Sequence, residues 1–249
     1  MRLERKESLI KKDIAEELVH QFTEFSKKYT VYGVFLYGSQ NYGLETENSD
    51  IDTKIVVIPS LDDLIFRQPV SMTVQTDCGI ADVKDIRLFF KSLKKQNMNF
   101  IETLFSDYGV YCSKYEMQRM FDLREDIAHY DEARAIACMK GMYNQALQKY
   151  EAEHSNKQLA NMARMCIAME RYRDGQPYRK VMRVPNLLVI KTGDKNNDTF
   201  DNFKKATAED TKAFAESFSM DCKPRNDKLG KQLDDIVKDI IYSRLGSLK

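Results

Sequence analysis

The sequence predicts an α+β fold: a small mixed β-sheet with flanking helices, followed by a helical half. Three observations carry that prediction. Runs rich in β-branched and aromatic residues, bounded by turn residues, are concentrated in residues 30–83. Helix-period patterns dominate from residue 85 onward. An amphipathic stripe precedes the first strand-like run. The chain has 249 residues and 43% hydrophobic content, enough for a buried core. The expected division is a sheet domain over 1–112 and a helical domain over 113–249, with the boundary near 110–115.

In order, residues 7–28 read as a helix, with Leu9, Ile10, Ile14, Leu18, Phe22 and Phe25 at three- and four-residue steps. Residues 30–37, Thr-Val-Tyr-Gly-Val-Phe-Leu-Tyr, read as a buried strand ended by Gly38-Ser39. After a polar stretch, residues 50–58 read as a second strand, closed by Pro59. Strands near 70–74 and 80–83 flank Thr-Asp-Cys-Gly, a hairpin turn signal. Helices are expected at 99–105, 114–126, 130–153, 156–173 and 226–246, with loops and one or two short helices across 174–225. Met139, Met142, Met162, Met165 and Met169 fall at helical steps and read as core filler.

Composition excludes several classes. The 39 basic and 38 acidic residues leave a net charge of +1, which excludes a uniformly basic nucleic-acid binder but not a local basic groove. No apolar run approaches the ~20 residues of a membrane helix, and the charged N-terminus does not read as a secretion signal. The five cysteines, at 78, 112, 138, 166 and 222, are odd in number and form no C-x-x-C pair. They read as free thiols of a cytoplasmic protein. His20, His129 and His154 form no local metal or triad pattern.

One stretch carries chemistry: Tyr37-Gly38-Ser39, then Ser49-Asp50-Ile51-Asp52. On a strand, Asp50 and Asp52 would point to one face, where two carboxylates repel unless a cation joins them. Mg²⁺ takes one or two carboxylates plus substrate phosphates. Gly38 lets a phosphate approach the backbone, and Ser39 adds a hydroxyl and an N–H at the expected start of a helix. Asp82 on the fourth strand would complete a three-acid cluster for two metals about 3.5–4 Å apart. Asp77 and Asp85 lie close in sequence to Asp82, and strand register decides among them. Asp62 and Asp63 read as the start of a helix.

These residues resemble the DNA polymerase β superfamily of nucleotidyltransferases, and more closely its branch described as YcgL-like or RNA-repair-associated. Asp82-Val83 with Ile86-Arg87-Leu88-Phe89-Phe90 resembles the branch's third-acid strand and following helix. Residues 97–105 resemble its Asn-containing segment with a Glu-Leu-Leu-like ending, although Met98 stands where Pro is usual. Lys157 with Arg164-Met165 resembles its Lys-then-Arg-Leu helix, and Ile190-Lys191-Thr192-Gly193 its Lys-x-Gly motif.

The resemblance implies a two-metal transferase using Mg²⁺ or Mn²⁺ and a nucleoside triphosphate. Gly38 and Ser39 would hold the triphosphate, Asp50 and Asp52 the metal, and Asp82 the metal that assists the nucleophile. Lys157, Arg164 and Lys191 would reach the phosphates from the helical half, across a cleft between the domains. An RNA or tRNA end is the implied acceptor. A protein or antibiotic hydroxyl, or a nucleotide- or RNA-binding module without turnover, are the alternatives. Residues 171–183 carry five basic residues against one acid, with Tyr172 and Tyr178 interleaved, a composition suited to an RNA end or to a basic surface loop. Lys91, Lys94 and Lys95 form a second basic group with the same two readings.

Overall fold

A computed structural model describes residues 2–193 and 198–245. In chain order the elements are α1 (Arg2–Ser26), β1 (Thr30–Tyr37), α2 (Ser39–Tyr42), β2 (Asp52–Ile58), α3 (Leu61–Ile65), β3 (Ser71–Gln75) and β4 (Ile80–Asp85). Next come α4 (Ile86–Lys94), α5 (Met98–Ile101), β5 (Gly109–Tyr111), α6 (Lys114–Asp122), α7 (Arg124–Ala128), α8 (Glu132–Glu153) and α9 (Asn156–Arg173). Last are α10 (Tyr178–Met182), α11 (Leu188–Thr192), α12 (Asp198–Ser217) and α13 (Asp227–Leu245). The fold is α+β with a mixed five-stranded sheet, as expected.

The chain divides into two compact units: residues 1–38, 49–130 and 226–249, and residues 39–48 with 131–225. The division does not follow the expected 112/113 break. The last helix belongs with the sheet, because α13 packs on α4 through Leu229, Leu233, Ile236 and Ile240, which are buried. Lys94 also pairs with Asp234 at 2.8 Å.

In the first unit the sheet order is β3-β4-β2-β1-β5. β2 and β4 are parallel; the other pairs are antiparallel. One sheet face packs Val34, Leu36, Ile55, Val57, Ala81 and Val83 against Ile14 and Leu18 of α1. β1 and β2 are buried almost along their whole length, as central strands covered on both faces are, whereas β4 alternates. Phe35 stacks on Phe89 of α4, and Phe89 meets the edge of Phe100 of α5. The side chains of Leu9 and Ile10, and residue 246 of the last expected helix, lie outside the described residues.

β5 is a strand that sequence patterning does not predict. It has three residues and pairs only Gly33–Phe35, so it is too short to show alternation. The expected helix over 114–126 is two helices, α6 and α7, joined at Leu123. The 20-residue α12 stands where the sequence suggested mostly loop.

The second unit centres on α9, packed against α8, α10, α11 and α12. Met139, Met162, Met165 and Met169 are buried in it, as their spacing predicts. The five cysteines are free. Among the described residues no helix is long and apolar enough to cross a membrane.

Candidate active site

The site is built at one end of the sheet. Tyr37, the last residue of β1, lies opposite Asp52, the first residue of β2. Gly38 then leaves the strand with φ +90°, a left-handed conformation that glycine adopts without a Cβ penalty. A Cβ at Gly38 would lie 3.5 Å from Asp52 Oδ2. The glycine bend and the second aspartate of the D-x-D pair are therefore immediate neighbours. Their contact comes from antiparallel register, which sequence separation alone does not reveal.

The other oxygen of Asp52 is also placed. Its Oδ1 accepts the Ile80 N–H at 3.1 Å. The Ile51 N–H donates to the Cys78 carbonyl at 2.7 Å. The turn between β3 and β4 is thus fastened onto the D-x-D segment. Gly79 permits this approach, since a Cβ there would lie 2.7 Å from the Ile51 carbonyl oxygen.

Asp50 differs from expectation. β2 begins at Asp52, and Asp50 precedes it as an exposed residue, so strand parity does not align the two carboxylates. The register does separate Asp82 from its rivals. Lys54 on β2 lies beside Asp82 on β4, on the same sheet face as Asp52. Asp85 has the opposite parity; it is fully buried, caps α4 by accepting the Arg87 N–H, and pairs with the Arg87 guanidinium. Asp77 lies in the turn.

Asp82 is engaged by two lysines. Lys54 Nζ donates to Oδ2 at 3.0 Å, and Lys84 Nζ lies 3.1 Å from Oδ1. The Lys54 side chain is only 4% exposed, and its ammonium lies 4.0 Å from the Tyr37 ring centre and 4.2 Å from that of Phe100. Among the described residues, no group of three or more His, Cys, Asp or Glu side chains is placed to hold one metal ion. The expected three-acid cluster of Asp50, Asp52 and Asp82 is thus not gathered around one point. Asp50 and Asp52 keep the hard oxygen donors that suit one divalent cation together with substrate phosphates.

Glu102 is a site residue whose role sequence reasoning missed. It is buried, and its Oε1 accepts the Gly38 N–H at 3.1 Å. That amide is therefore committed inside the fold, leaving the N–H and hydroxyl of Ser39 as the bend's donors for an anion. Ser39 opens α2, which is a single turn of four residues and too short to sum a macrodipole. The Tyr37 phenol is pushed up to about 12, first by burial and then by the negative charges of Asp52, Asp82 and Glu102. Lys54 and Lys84 were legible in hindsight: each sits two residues after an acid, and hence on that acid's face.

The second unit sets Arg164 and Lys191 against residues 39–48, with Lys157 close enough to Lys191 to act on its charge. Arg164 is buried, with its guanidinium 3.9 Å from the ring centre of Tyr42. Among the described residues, its buried Nε has no hydrogen-bond acceptor. Lys191 donates to the Leu44 carbonyl. Its pKa is lowered, first by burial and then by the charge of Lys157, with Glu45 acting in the opposite direction. Lys157 itself is exposed at the start of α9. Gly193 of the Lys-x-Gly motif has a packing reason: the Phe200 ring fills the space a side chain would need.

The basic stretch 171–183 does not offer rings to bases. Tyr172 and Tyr178 are each 1% exposed. Arg173, Arg179, Lys180 and Arg183 remain exposed, while Arg171 is half-buried and holds the Lys180 and Arg183 carbonyls.

A Gly-Ser bend set beside a D-x-D pair at a sheet end, with a further acid on the next strand, is the pattern for which the sequence resembles DNA polymerase β superfamily nucleotidyltransferases. The comparison of sequences makes the assignment: residues 10–237 match the RNA repair pathway DNA polymerase beta family, and the chain belongs to that family. No match was found among the curated proteins. Among solved structures, a nucleotidyltransferase-like protein from Exiguobacterium sibiricum 255-15 aligns over 81% of this chain and 74% of its own. The identity is 7% and the TM-score 0.33.

Proposed function

We propose that this protein transfers a nucleoside monophosphate from a nucleoside triphosphate to an acceptor hydroxyl, releasing pyrophosphate, with Mg²⁺ or Mn²⁺. The observation that carries the reading is the pairing of Tyr37 with Asp52, which sets the Gly38 bend against a carboxylate of the D-x-D pair. Family membership supports the same chemistry. Asp50 and Asp52 are assigned to hold the divalent cation, which when bound would neutralise phosphate charge. The Ser39 hydroxyl and N–H are assigned to the triphosphate. Asp82 is assigned to the acceptor side by the resemblance alone.

Arg164, Lys191 and Lys157 are assigned to the phosphates as well. Arg164 supports this most directly, because a buried guanidinium resting on a ring, with an unpartnered Nε, leaves donors for an anion. Catalysis would then rest on positioning and charge neutralisation.

RNA is the proposed acceptor, on the strength of the family's RNA-repair description. The exposed basic residues of 171–183 suit its phosphates rather than its bases. The test is incubation with each labelled triphosphate, Mg²⁺, and separate pools of RNA, protein and aminoglycoside. Label on RNA, lost in Asp52→Ala, is the expected result. Label on protein or aminoglycoside alone would move the assignment to that acceptor. No label in any pool, with nucleotide still bound without Mg²⁺, would indicate a binding module instead.

A further inference from the structure

We propose that Lys54 takes the place of a second divalent cation on Asp82, so that the site works with a single divalent cation, held by Asp50 and Asp52. This rests on the transferase reading and narrows it.

Charge accounting points this way. Three carboxylates at one strand end would call for two divalent ions. Here both Asp82 oxygens already face ammonium groups, Lys54 at 3.0 Å and Lys84 at 3.1 Å. Strand register brings these groups side by side. Lys54 and Asp82 are register partners across the parallel β2–β4 pair, and Lys84 follows Asp82 on the same face.

Lys54 is also costly to displace. Its ammonium lies over the Tyr37 and Phe100 rings, and its side chain is 4% exposed, so little water is available to it. If a metal ion claimed Asp82, the Lys54 ammonium would lose the anion that offsets it. Ring faces stabilise an ammonium but do not neutralise it. A divalent ion bound at the same carboxylate would also lie against that ammonium and be repelled by it. Lys54 is therefore a positioning residue acting through Asp82. It places an ammonium where the three-acid pattern would otherwise recruit an ion.

The test counts Mn²⁺ by electron paramagnetic resonance in the full chain with a non-hydrolysable triphosphate analogue. Wild type should bind one Mn²⁺ per ternary complex. Asp82→Asn should keep that stoichiometry and change Mn²⁺ affinity by less than about tenfold, below the loss that removing even an outer partner of a metal ligand brings. Lys54→Met should acquire a second Mn²⁺ that the double variant Lys54→Met/Asp82→Asn lacks. Two Mn²⁺ in wild type, or loss of an ion in Asp82→Asn, would overturn the inference and leave the transferase reading intact. Failure of wild type to bind Mn²⁺ with the analogue would overturn both. If Lys54→Met does not fold, the wild-type and Asp82→Asn counts decide alone.

Discussion

The two charged regions of this protein are built on opposite electrostatic terms. At the sheet end of the first unit, acids have partners within the fold. Asp82 lies between Lys54 and Lys84, and Asp52 accepts a backbone N–H. In the second unit, Arg164 rests on a ring and Lys191 on a carbonyl, with Lys157 adding like charge that Glu45 opposes. Dipoles and quadrupoles solvate a cation without cancelling it, whereas a carboxylate cancels it. The second region therefore carries the larger unmet demand for an anion, and the first is close to self-sufficient except at exposed Asp50.

The sharpest way to break this comparison is to separate the two aspartates of the D-x-D pair. Both Asp50→Ala and Asp52→Ala should abolish nucleotidyl transfer, yet their stabilities should differ. Asp50 is exposed, so its loss should stay within about 0.5 kcal/mol. Asp52 anchors the Ile80 N–H, so its loss should cost about 1–2 kcal/mol. Urea melts and activity on both variants check this; retained activity in either would remove it from the metal site.

Next in size is Lys54→Met. Breaking a buried ion pair costs roughly 3–5 kcal/mol, and the low end applies because Lys84 stays with Asp82. Lys157→Ala, on the exposed start of α9, should leave the melting curve unchanged. Equal effects from the two lysines would dissolve the contrast between the regions.

Anion binding comes third. Inorganic tripolyphosphate without metal should stabilise the wild type by about 2.7 kcal/mol at a hundredfold excess over its Kd. Arg164→Met should lose most of that gain, and Asp82→Asn should retain it. An unchanged shift in Arg164→Met would mean that its guanidinium is packing alone.

The smallest effect concerns alkaline pH. The Tyr37 pKa is raised above its ordinary value near 10 to about 12, so the folded state keeps that proton longer than the unfolded chain does. The associated stability is complete below pH ~10 and is lost as pH climbs from ~10 towards 12. Tyr37→Phe should flatten this part of the stability profile. Lys191 has the opposite sign: its pKa is lowered, so its contribution to stability rises as pH increases through that depressed value. Chemical denaturation across alkaline pH separates the two.

Much of the architecture was legible because it depends on local periodicity. β1 was readable to the residue because a bounded run of β-branched and aromatic residues reads as a buried strand, and α9 likewise because its apolar positions recur over several turns. Three-residue β5 was not, and α13 looked like part of a helical half although it packs on α4 in the sheet unit. A stripe of Leu and Ile announces a buried face but does not name its partner. The candidate site shows the same split. Gly38-Ser39, the D-x-D spacing and Arg164 stood out in the sequence, but the roles of Lys54 and Glu102 did not.

By itself, then, the amino-acid order determined which residues could bend, coordinate or bind phosphate, since backbone freedom and side-chain chemistry belong to each residue alone. Strand register and packing decided how those groups are matched. They set Gly38 against Asp52, seated Lys54 on Asp82, and left Arg164 on Tyr42 with an unused donor. Electrostatic pairing depends on distances of a few ångströms between residues far apart in the chain, and only the folded backbone sets those distances.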